Sequence, residues 1–315
     1  MVCRLFSHEA TGFGGGCMKT YLDCLPCFLG QALRTGRTAG IDDEGLKGLL
    51  DEIGGMFRDI ALEATPPQTA RLIYGKIREI SGNVDPYLQI KQESTRQALQ
   101  YLPIFRQYIE DADDPLLMAV RLAIAGNVID FGVYGEVDLE TEVDRVIAQD
   151  FAVCDDGAFR QAAKAAGDVL YIGDNAGECV FDRLLIEQIG KPTTYAVRGV
   201  PVINDAVESD AVAAGIDQVA RIVSSGTDAP GAVLNTCSDE FRRMISGASL
   251  IIAKGQGNYE ALSREEAPVF FLLKAKCHVI AHSLGVAKDD IVLKRSDARR
   301  AGNDLPAKSL DMTDK

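Results

Sequence analysis

Short apolar runs alternate with helical patterns in the second half of the chain, and this alternation constrains the fold more than any other feature. Five runs have the length of strands, and each is followed by apolar residues at helical spacing. The runs are Val169–Gly173, Thr194–Arg198, Val219–Val223, Leu250–Ala253 and Val269–Leu273. The helix predicted after the second run extends over Asn204–Ala214. Strand and helix in regular alternation indicate a mainly parallel sheet. The sequence therefore predicts a Rossmann-like, three-layer α/β domain over residues 167–296.

The first half has no comparable strand pattern. Its apolar residues recur at helical spacing, and Asp or Pro residues open successive segments, as is common at helix N-termini. The predicted helices are Asp23–Arg37, Glu44–Ala64, Gln68–Ile80, 85–109, 115–129, Asp138–Asp150 and Gly157–Ala166. Residues 18–166 are therefore predicted to form an all-helical domain. Residues 1–17 are expected to be a disordered or mis-started extension, and residues 297–315 a frayed polar tail.

The overall charge restricts the partners that the chain can bind. With 33 Lys and Arg against 46 Asp and Glu, the net charge is −13. Sequence-independent binding to nucleic acid depends on cations that neutralise phosphates, so we expect no nucleic-acid partner. No apolar run approaches the roughly 20 residues that span a bilayer, so no membrane partner is expected either. The eight cysteines are mostly far apart, which favours a reducing cytoplasm over a disulfide framework. The sequence does not indicate an oligomeric state.

Polar residues follow the first two predicted strands at the point where each strand ends. Asp174 and Asn175 come after the first strand, and Asp205 comes 31 positions later (205 − 174), about one βαβ unit along the chain. Ligands of open parallel sheets bind beyond the carboxyl ends of the strands, where these side chains would meet. Carboxylate and amide oxygens suit hard divalent cations such as Mg²⁺ and Mn²⁺. The alternative is that these residues only form turns and helix caps.

Candidate phosphate-binding residues follow the same strand ends. Arg198 ends the second strand and offers a planar fork for phosphate oxygens. Ser225 and Gly226 follow the third strand in a loop whose backbone N–H groups can reach an anion. Lys254 ends the fourth strand and precedes two glycines that open a helix, an arrangement typical of phosphate binding. A solvated loop remains the alternative for the third strand end.

Several blocks of the chain together resemble the damage-control phosphatases, also described as domain of unknown function 89 and as acidic-residue-methyltransferase-like. The blocks in the α/β half are GDNAGE, RGVPVINDA, SSGTDAPG and KGQGNYE. Cys24-Leu-Pro-Cys27 and the segment 125–132, AGNVIDFG, resemble blocks of the prokaryotic branch that contains a CxxC motif. The resemblance extends over roughly residues 18–293 and covers nearly the whole chain.

The resemblance implies a metal-dependent phosphatase with a helical domain packed on an α/β domain. It implies metal ligands at Asp174, Asn175 and Asp205, with Mg²⁺, Mn²⁺, Co²⁺ or Ni²⁺ as the cofactor. It implies that Glu178 handles the attacking water and that Lys254 lies on the phosphate side. Two residues of a helical-domain block that faces the site, Asn127 and Asp130, are implied as substrate contacts, although they could instead end a helix. The implied substrates are small phosphorylated metabolites, such as sugar phosphates or damaged phosphometabolites.

The catalytic residues would be Asp174, Glu178 and Asp205, and the nucleophile remains open. Water activated by Glu178 or Asp205 is the preferred hypothesis, and a covalent aspartyl-phosphate on Asp174 is the alternative. Two other functions are also retained. One is a carboxyl methyltransferase that uses S-adenosylmethionine, although GDNAGE is a poor match to a glycine-rich cofactor loop. The other is a non-catalytic module that binds phosphometabolites, which would not explain the paired carboxylates.

The pair Cys24 and Cys27 has three interpretations. It could hold a structural metal, but it supplies only two of the four usual thiolates, and Cys154 or Cys277 would have to complete the site. It could be redox-active, but it lies outside a βαβ unit. The favoured interpretation is two buried cysteines three positions apart on a helix.

Overall fold

The computed structural model describes residues 18–128 and 139–296 as thirteen α-helices and seven strands. The helices are α1 Cys24–Thr38, α2 Asp43–Met56, α3 Pro66–Ser81, α4 Leu88–Gln100, α5 Leu102–Glu110, α6 Pro115–Val128, α7 Leu139–Ala148, α8 Asp156–Ala165, α9 Cys179–Ile189, α10 Glu208–Ala213, α11 Asp239–Gly247, α12 Gly255–Leu262 and α13 His278–Leu284. The strands are β1 Phe151–Cys154, β2 Val169–Ile172, β3 Thr193–Val197, β4 Arg221–Ser224, β5 Ile251–Lys254, β6 Val269–Lys274 and β7 Ile291–Arg295.

The seven strands form one sheet in the order β1-β7-β6-β5-β2-β3-β4. Every neighbouring pair is parallel except β6 and β7, which are antiparallel. The chain moves outward from β2 to β3 and β4, and then returns to the other side of β2 to form β5. The carboxyl ends of β2 and β5 therefore border a topological switch point, where open α/β sheets bind ligands.

Helices cover both faces of the sheet, as the alternation along β2 shows. Val169 and Tyr171 face a core with helices α4–α10, whereas Leu170 and Ile172 face a core with α11, α12 and α13. Successive side chains of a strand point to opposite faces, so a strand that is buried along its whole length needs apolar residues at every position. The three-layer, mainly parallel α/β architecture is confirmed.

The first three helices form a separate bundle with its own apolar core. Phe28, Leu49 and Ile73 meet at its centre, and Val202 joins them from the loop after β3. Two polar links hold the same surfaces together: Arg78 donates to the carbonyl of Pro201 at 3.2 Å, and Arg71 pairs with Asp228. The bundle is thereby fixed over the carboxyl ends of the strands.

Two strands at one side of the sheet, β1 and β7, were not predicted. β1 lies within residues 18–166, so the all-helical interpretation of that range is wrong at Phe151–Cys154. β1 is an edge strand whose residues alternate between half-buried and exposed, and β7 ends with Lys294 and Arg295. β1 is a run of only four residues and β7 ends in two basic residues, which explains why neither was recognised as a strand.

Helix boundaries differ from the prediction at three places. The predicted helix 85–109 is two helices that meet at Tyr101, because Pro103 occupies the first turn of α5, where proline is tolerated. Helix α2 ends at Met56 rather than Ala64, and α10 begins at Glu208 rather than Asn204. Within the described ranges no helix is long and apolar enough to cross a membrane. The predictions for residues 1–17 and 297–315 fall outside the described residues, and the division into domains stays a prediction.

Candidate active site

The candidate site lies at the switch point between β2 and β5. Asp174 follows β2 and Gly255 follows β5, and the two residues are in direct contact. Asn258 on α12 is fully buried and donates to the carbonyl of Gly173 at 3.0 Å and to that of Lys254 at 2.7 Å. This amide therefore ties the ends of the two strands together.

Backbone hydrogen bonds hold the three predicted metal ligands next to one another. Asn175 and Asp205 form an isolated antiparallel bridge between the loops that follow β2 and β3. Ala206 donates its N–H to the carbonyl of Asp174 at 2.8 Å, and Ala176 donates to that of Asn204 at 3.0 Å. These bonds use residues 204–206, which explains why α10 begins later than predicted. The meeting of Asp174, Asn175 and Asp205 predicted from the sequence is present in the structure.

The side chains of these residues offer oxygen atoms to one shared cavity. Asp174, Asn175 and Asp205 all line it. The side-chain nitrogen of Asn175 points toward Asp174 Oδ2 at 3.3 Å and donates to Glu178 Oε1. The amide oxygen of Asn175 is therefore the atom left for a cation. Two carboxylates and one amide oxygen form a donor set for a hard divalent cation.

The surroundings of Asp174 and Asp205 disfavour the ionised form of both carboxyl groups. Burial, followed by the neighbouring Glu178 and Asp205, raises the pKa of Asp174 to about 8, although Arg198 and Lys276 act in the other direction. Burial also raises the pKa of Asp205, against the effect of Arg198. A cation between the two carboxylates would relieve this repulsion. In residues 18–128 and 139–296 no three His, Cys, Asp or Glu side chains are grouped to hold a metal, so this site depends on the amide of Asn175.

Arg198 lies behind the two aspartates and does not line the cavity. Its Nε donates to Asp205 Oδ2 at 2.6 Å, and its Nη2 lies 3.4 Å from Asp174 Oδ1. The guanidinium is buried, and within the described part of the chain its Nη1 has no hydrogen-bond partner. In this position Arg198 orients the aspartates and offsets their charge.

Lys254 is completely buried in a network of carboxylates. Its Nζ contacts Glu178 Oε2 at 3.0 Å and Asp182 Oδ1 at 2.7 Å. Tyr171 and Tyr195 each donate a hydrogen bond of 2.7 Å to Asp182. The two carboxylates raise the pKa of Lys254 and keep it charged.

The hydrogen-bond network around Lys254 lies outside the cavity lining and holds the predicted metal ligands in place from that side. Glu178 joins Lys254 to the amide of Asn175, and neither Lys254 nor Glu178 is part of the cavity lining. The sequence analysis missed Asp182, although an acidic residue between Phe181 and the apolar stretch Leu184–Ile186 was a usable signal, because a buried carboxylate needs a partner.

Two of the remaining phosphate-binding candidates, Ser225 and Gly226, do not line the cavity. Ser225 is buried and donates its hydroxyl to the carbonyl of Val197 at 2.7 Å. Gly226, with φ of +80°, packs on Gly199. Asn127 belongs to α6, but its side chain is not described, and Asp130 falls outside the described residues.

The cavity itself measures about 860 Å³ and extends from the aspartates to the N-terminal bundle. One wall is a stripe along α1 with helical spacing, and α3, α12 and the start of α13 supply further lining. Cavity-lining side chains missed by the sequence analysis are Gln31, Arg34, Thr35, Tyr74, Tyr87, Glu260 and Lys276. They are distant in sequence from the strand-end motifs, so only the tertiary fold brings them together.

Both cysteines of the CxxC motif line this cavity. Cys24 is half-buried and Cys27 is exposed, so the interpretation as two buried cysteines is wrong. A polar cavity beside α1, rather than an apolar core, explains the exposure. Burial and the nearby Glu260 and Cys277 raise the pKa of the Cys24 thiol to about 11. The structural metal suggested for the pair stays a prediction.

Gly255 offers a direct test of the contact with Asp174. Its φ is +76°, and a Cβ at this position would lie 1.9 Å from Asp174 Oδ2. We expect Gly255→Ala to lower the free energy of unfolding by about 1–3 kcal/mol and to displace Asp174. Urea unfolding measures the first effect, and metal-induced stabilisation measures the second.

The matched control is Gly247→Ala at the exposed end of α11, where an added Cβ meets nothing within 4 Å. This variant is expected to unfold within about 1 kcal/mol of the parent protein. Equal behaviour of the two variants would contradict the close packing of Asp174 on Gly255.

Comparison with known proteins identifies relatives of this chain. The model of the damage-control phosphatase ARMT1-like domain matches residues 20–292. A damage-control phosphatase of Pyrococcus horikoshii is 34% identical over 286 residues, which cover 89% of this chain and 99% of the relative. One of Archaeoglobus fulgidus is 33% identical over 287 residues, with coverage of 88% and 99%.

A solved structure gives the same result for the fold. The crystal structure of a DUF89 family protein from Pyrococcus horikoshii superposes with a TM-score of 0.82 at 34% identity, and covers 89% of this chain and 99% of that protein. An uncharacterised protein of Methanocaldococcus jannaschii is also 34% identical, over 297 residues, with coverage of 90% and 98%. The family match spans nearly the whole described chain, and the chain belongs to the ARMT1-like damage-control phosphatase family.

Proposed function

We propose that the protein is a metal-dependent phosphatase that hydrolyses small phosphorylated metabolites, such as sugar phosphates or damaged phosphometabolites. The observation that carries this proposal is the meeting of Asp174, Asn175 and Asp205 at a cavity of about 860 Å³. Cavities that bind small molecules measure about 300–1,000 Å³. The names of the two relatives support a phosphatase activity in general.

The donor set supports a divalent cation as the cofactor. Asp174, Asn175 and Asp205 would hold it, and Mg²⁺, Mn²⁺, Co²⁺ and Ni²⁺ all accept oxygen ligands of this kind. A bound cation would polarise the phosphoryl oxygens and balance the charge of the two carboxylates. Without that balance, the carboxylates would repel an anionic ester. Binding of the substrate is therefore expected to depend on the cation.

Other roles, the positioning of the metal ligands and the transfer of a proton, belong to side chains of the protein. Arg198 and Glu178 hold Asp205 and Asn175 in place through the contacts described above. Among the carboxylates that line the cavity, Asp174 and Asp205 are the two at the proposed metal site, so one of them accepts the proton of the attacking water. Attack by Asp174 itself is the alternative route, and acid quenching during turnover would then trap a phosphorylated Asp174.

Glu260 is a candidate for protonating the leaving group. It lines the cavity on α12, and burial raises its pKa to about 7. A carboxyl group with this pKa is partly protonated at neutral pH, which suits the donation of a proton to a leaving alkoxide.

Removal and restoration of the metal tests the proposed function. We expect EDTA treatment to reduce phosphate release from p-nitrophenyl phosphate and sugar phosphates to background. Addition of Mg²⁺, Mn²⁺, Co²⁺ or Ni²⁺ should restore it, because the cation supplies the Lewis acid. The same additions should raise the Tm, since a ligand that binds only the folded state stabilises it.

Two outcomes would contradict the proposal. Turnover that is unchanged by EDTA would remove the metal from the mechanism. No release with any of the four metals, from protein shown to be folded by circular dichroism, would favour the non-catalytic binding module or the methyltransferase. Calorimetric titration with S-adenosylmethionine then distinguishes these two, because only the methyltransferase binds this cofactor.

A further inference from the structure

The cations that face the cavity differ from those proposed from the strand-end motifs. Lys254 and Arg198 are buried in ion pairs below the aspartates. Arg34, Arg37 and Lys276 line the cavity instead. Among the residues that the structure describes, no carboxylate lies within 4 Å of any of these three cations. Unpaired cations that converge on one cavity stand out in a chain of net charge −13.

Arg34 and Lys276 act on different parts of the cavity. Lys276 follows β6 and donates its backbone N–H to Gln256 Oε1 at 3.3 Å, and Gln256 directly follows Gly255, which contacts Asp174. Lys276 therefore lies on the side of the proposed metal ligands. Arg34 lies on α1 about one turn after Gln31, whose side chain is hydrogen-bonded to Tyr74 of the bundle. One cation is therefore associated with the aspartates, and the other belongs to the opposing wall.

The wall around Arg34 is polar and fixed by hydrogen bonds. Tyr74 donates its hydroxyl to Gln31 Oε1 at 2.7 Å, and the hydroxyls of Thr35 and Tyr87 are 3.1 Å apart. Hydroxyl and amide groups of this kind suit a polyhydroxylated ligand, because each ligand hydroxyl needs a partner when it leaves water.

We propose that the preferred substrates are phosphate monoesters of polyols that carry a second anionic group. The phosphoryl group lies at the aspartates beside Lys276, and the second anion pairs with Arg34 on the α1 wall. Guanidinium groups bind carboxylates and phosphates through paired, charge-assisted hydrogen bonds. This inference rests on the proposed phosphatase function and adds the class of substrate.

Two open-chain esters that differ at one carbon test the inference. Glucitol 6-phosphate ends in a hydroxymethyl group where 6-phosphogluconate ends in a carboxylate. With metal-loaded protein, we expect kcat/KM to be about tenfold or more higher for the acid, the effect of one charge-assisted contact. Arg34→Gln should lower the ratio of the two values toward one. Arg58→Gln, an exposed residue outside the cavity lining, should leave both values unchanged.

Arg37 lines the same wall and can partly replace Arg34, so the double variant Arg34→Gln, Arg37→Gln is measured alongside. A wild-type ratio of one or less would overturn the inference. A ratio that is the same in wild type, the single variant and the double variant would also overturn it.

The failure of the proposed function is separable from the failure of this inference. If neither ester is hydrolysed with any metal, the same compounds are titrated calorimetrically. Tighter binding of the acid that is lost in the double variant would support the second-anion site while refuting the phosphatase. Equal Kd values, or no binding of either compound, would refute the second-anion site.

Discussion

Replacement of Asp174 by alanine is expected to reduce kcat on phosphate esters by at least about 1,000-fold, or roughly 4 kcal/mol of transition-state free energy. Asp174 supplies a carboxylate at the switch point and touches Asn175, Arg198 and Gly255. Its removal leaves Asp205 and the amide of Asn175 as the remaining predicted ligands, too few to fix a cation in one geometry. Phosphate release at saturating Mn²⁺ measures the effect.

The fold should survive this substitution. The pKa of Asp174 is raised from 3.8 to about 8, so the folded state disfavours the ionised form. The resulting loss in the free energy of unfolding grows as pH rises from 3.8 toward about 8, and alanine removes this loss. The Tm of metal-free protein is therefore expected to be maintained or to increase at neutral pH, whereas the increase in Tm on adding metal should disappear.

Asp217→Ala is the matched control, because Asp217 is exposed and does not line the cavity. It should retain wild-type turnover and metal response. Full activity in Asp174→Ala would refute the assignment of this carboxylate to the metal.

The largest expected effect on stability follows from Lys254→Met. This change leaves Glu178 and Asp182 buried without their shared cation. Removal of one partner from a buried ion pair costs about 3–5 kcal/mol, because the remaining charge is uncompensated. Urea unfolding in the absence of metal measures the loss, and Lys288→Met, at an exposed position, should show almost none.

A compensating variant separates charge from packing. In the triple variant Lys254→Met, Glu178→Gln, Asp182→Asn, no ionised group remains unpaired in the network, so we expect most of the lost free energy to return. If the free energy of unfolding of Lys254→Met alone lies within about 1 kcal/mol of the wild-type value, Lys254 is not the centre of this network.

The sheet could be predicted from the sequence wherever strands are buried on both faces. β2 and β5 are continuous apolar runs because each face packs on helices, and their positions were predicted within a residue or two. β1 is half-exposed and its pairing with β7 joins segments far apart in the chain. Local patterns carry no information about such a pairing, so both strands were missed.

The candidate site could also be predicted only in part. Asp174 and Asp205 follow neighbouring parallel strands, and this topology alone brings them together. The direction of Arg198 and Lys254 was not predictable, because a cation at a strand end can face either the ligand or the core. Lys254 faces the core because the buried carboxylate of Asp182 pairs with it there. The cavity-lining residues of α1 were missed because they are far from the strand-end motifs in the sequence and approach them only in the folded chain.

The pairing of β1 with β7 also affects how the chain is made. The segment from β2 to Asp205 leaves the ribosome before β5, β6 and β7, and the predicted oxygen ligands can meet as soon as that segment folds. The wall that contains Arg34 meets Lys276 only after 71 further residues (276 − 205) have emerged, and β1 acquires its only described neighbour later still. Contacts between distant segments form slowly. During synthesis, an anionic pocket open to solvent therefore precedes the enclosed cavity, and a divalent ion that binds early would shield its carboxylates until the rest of the chain arrives.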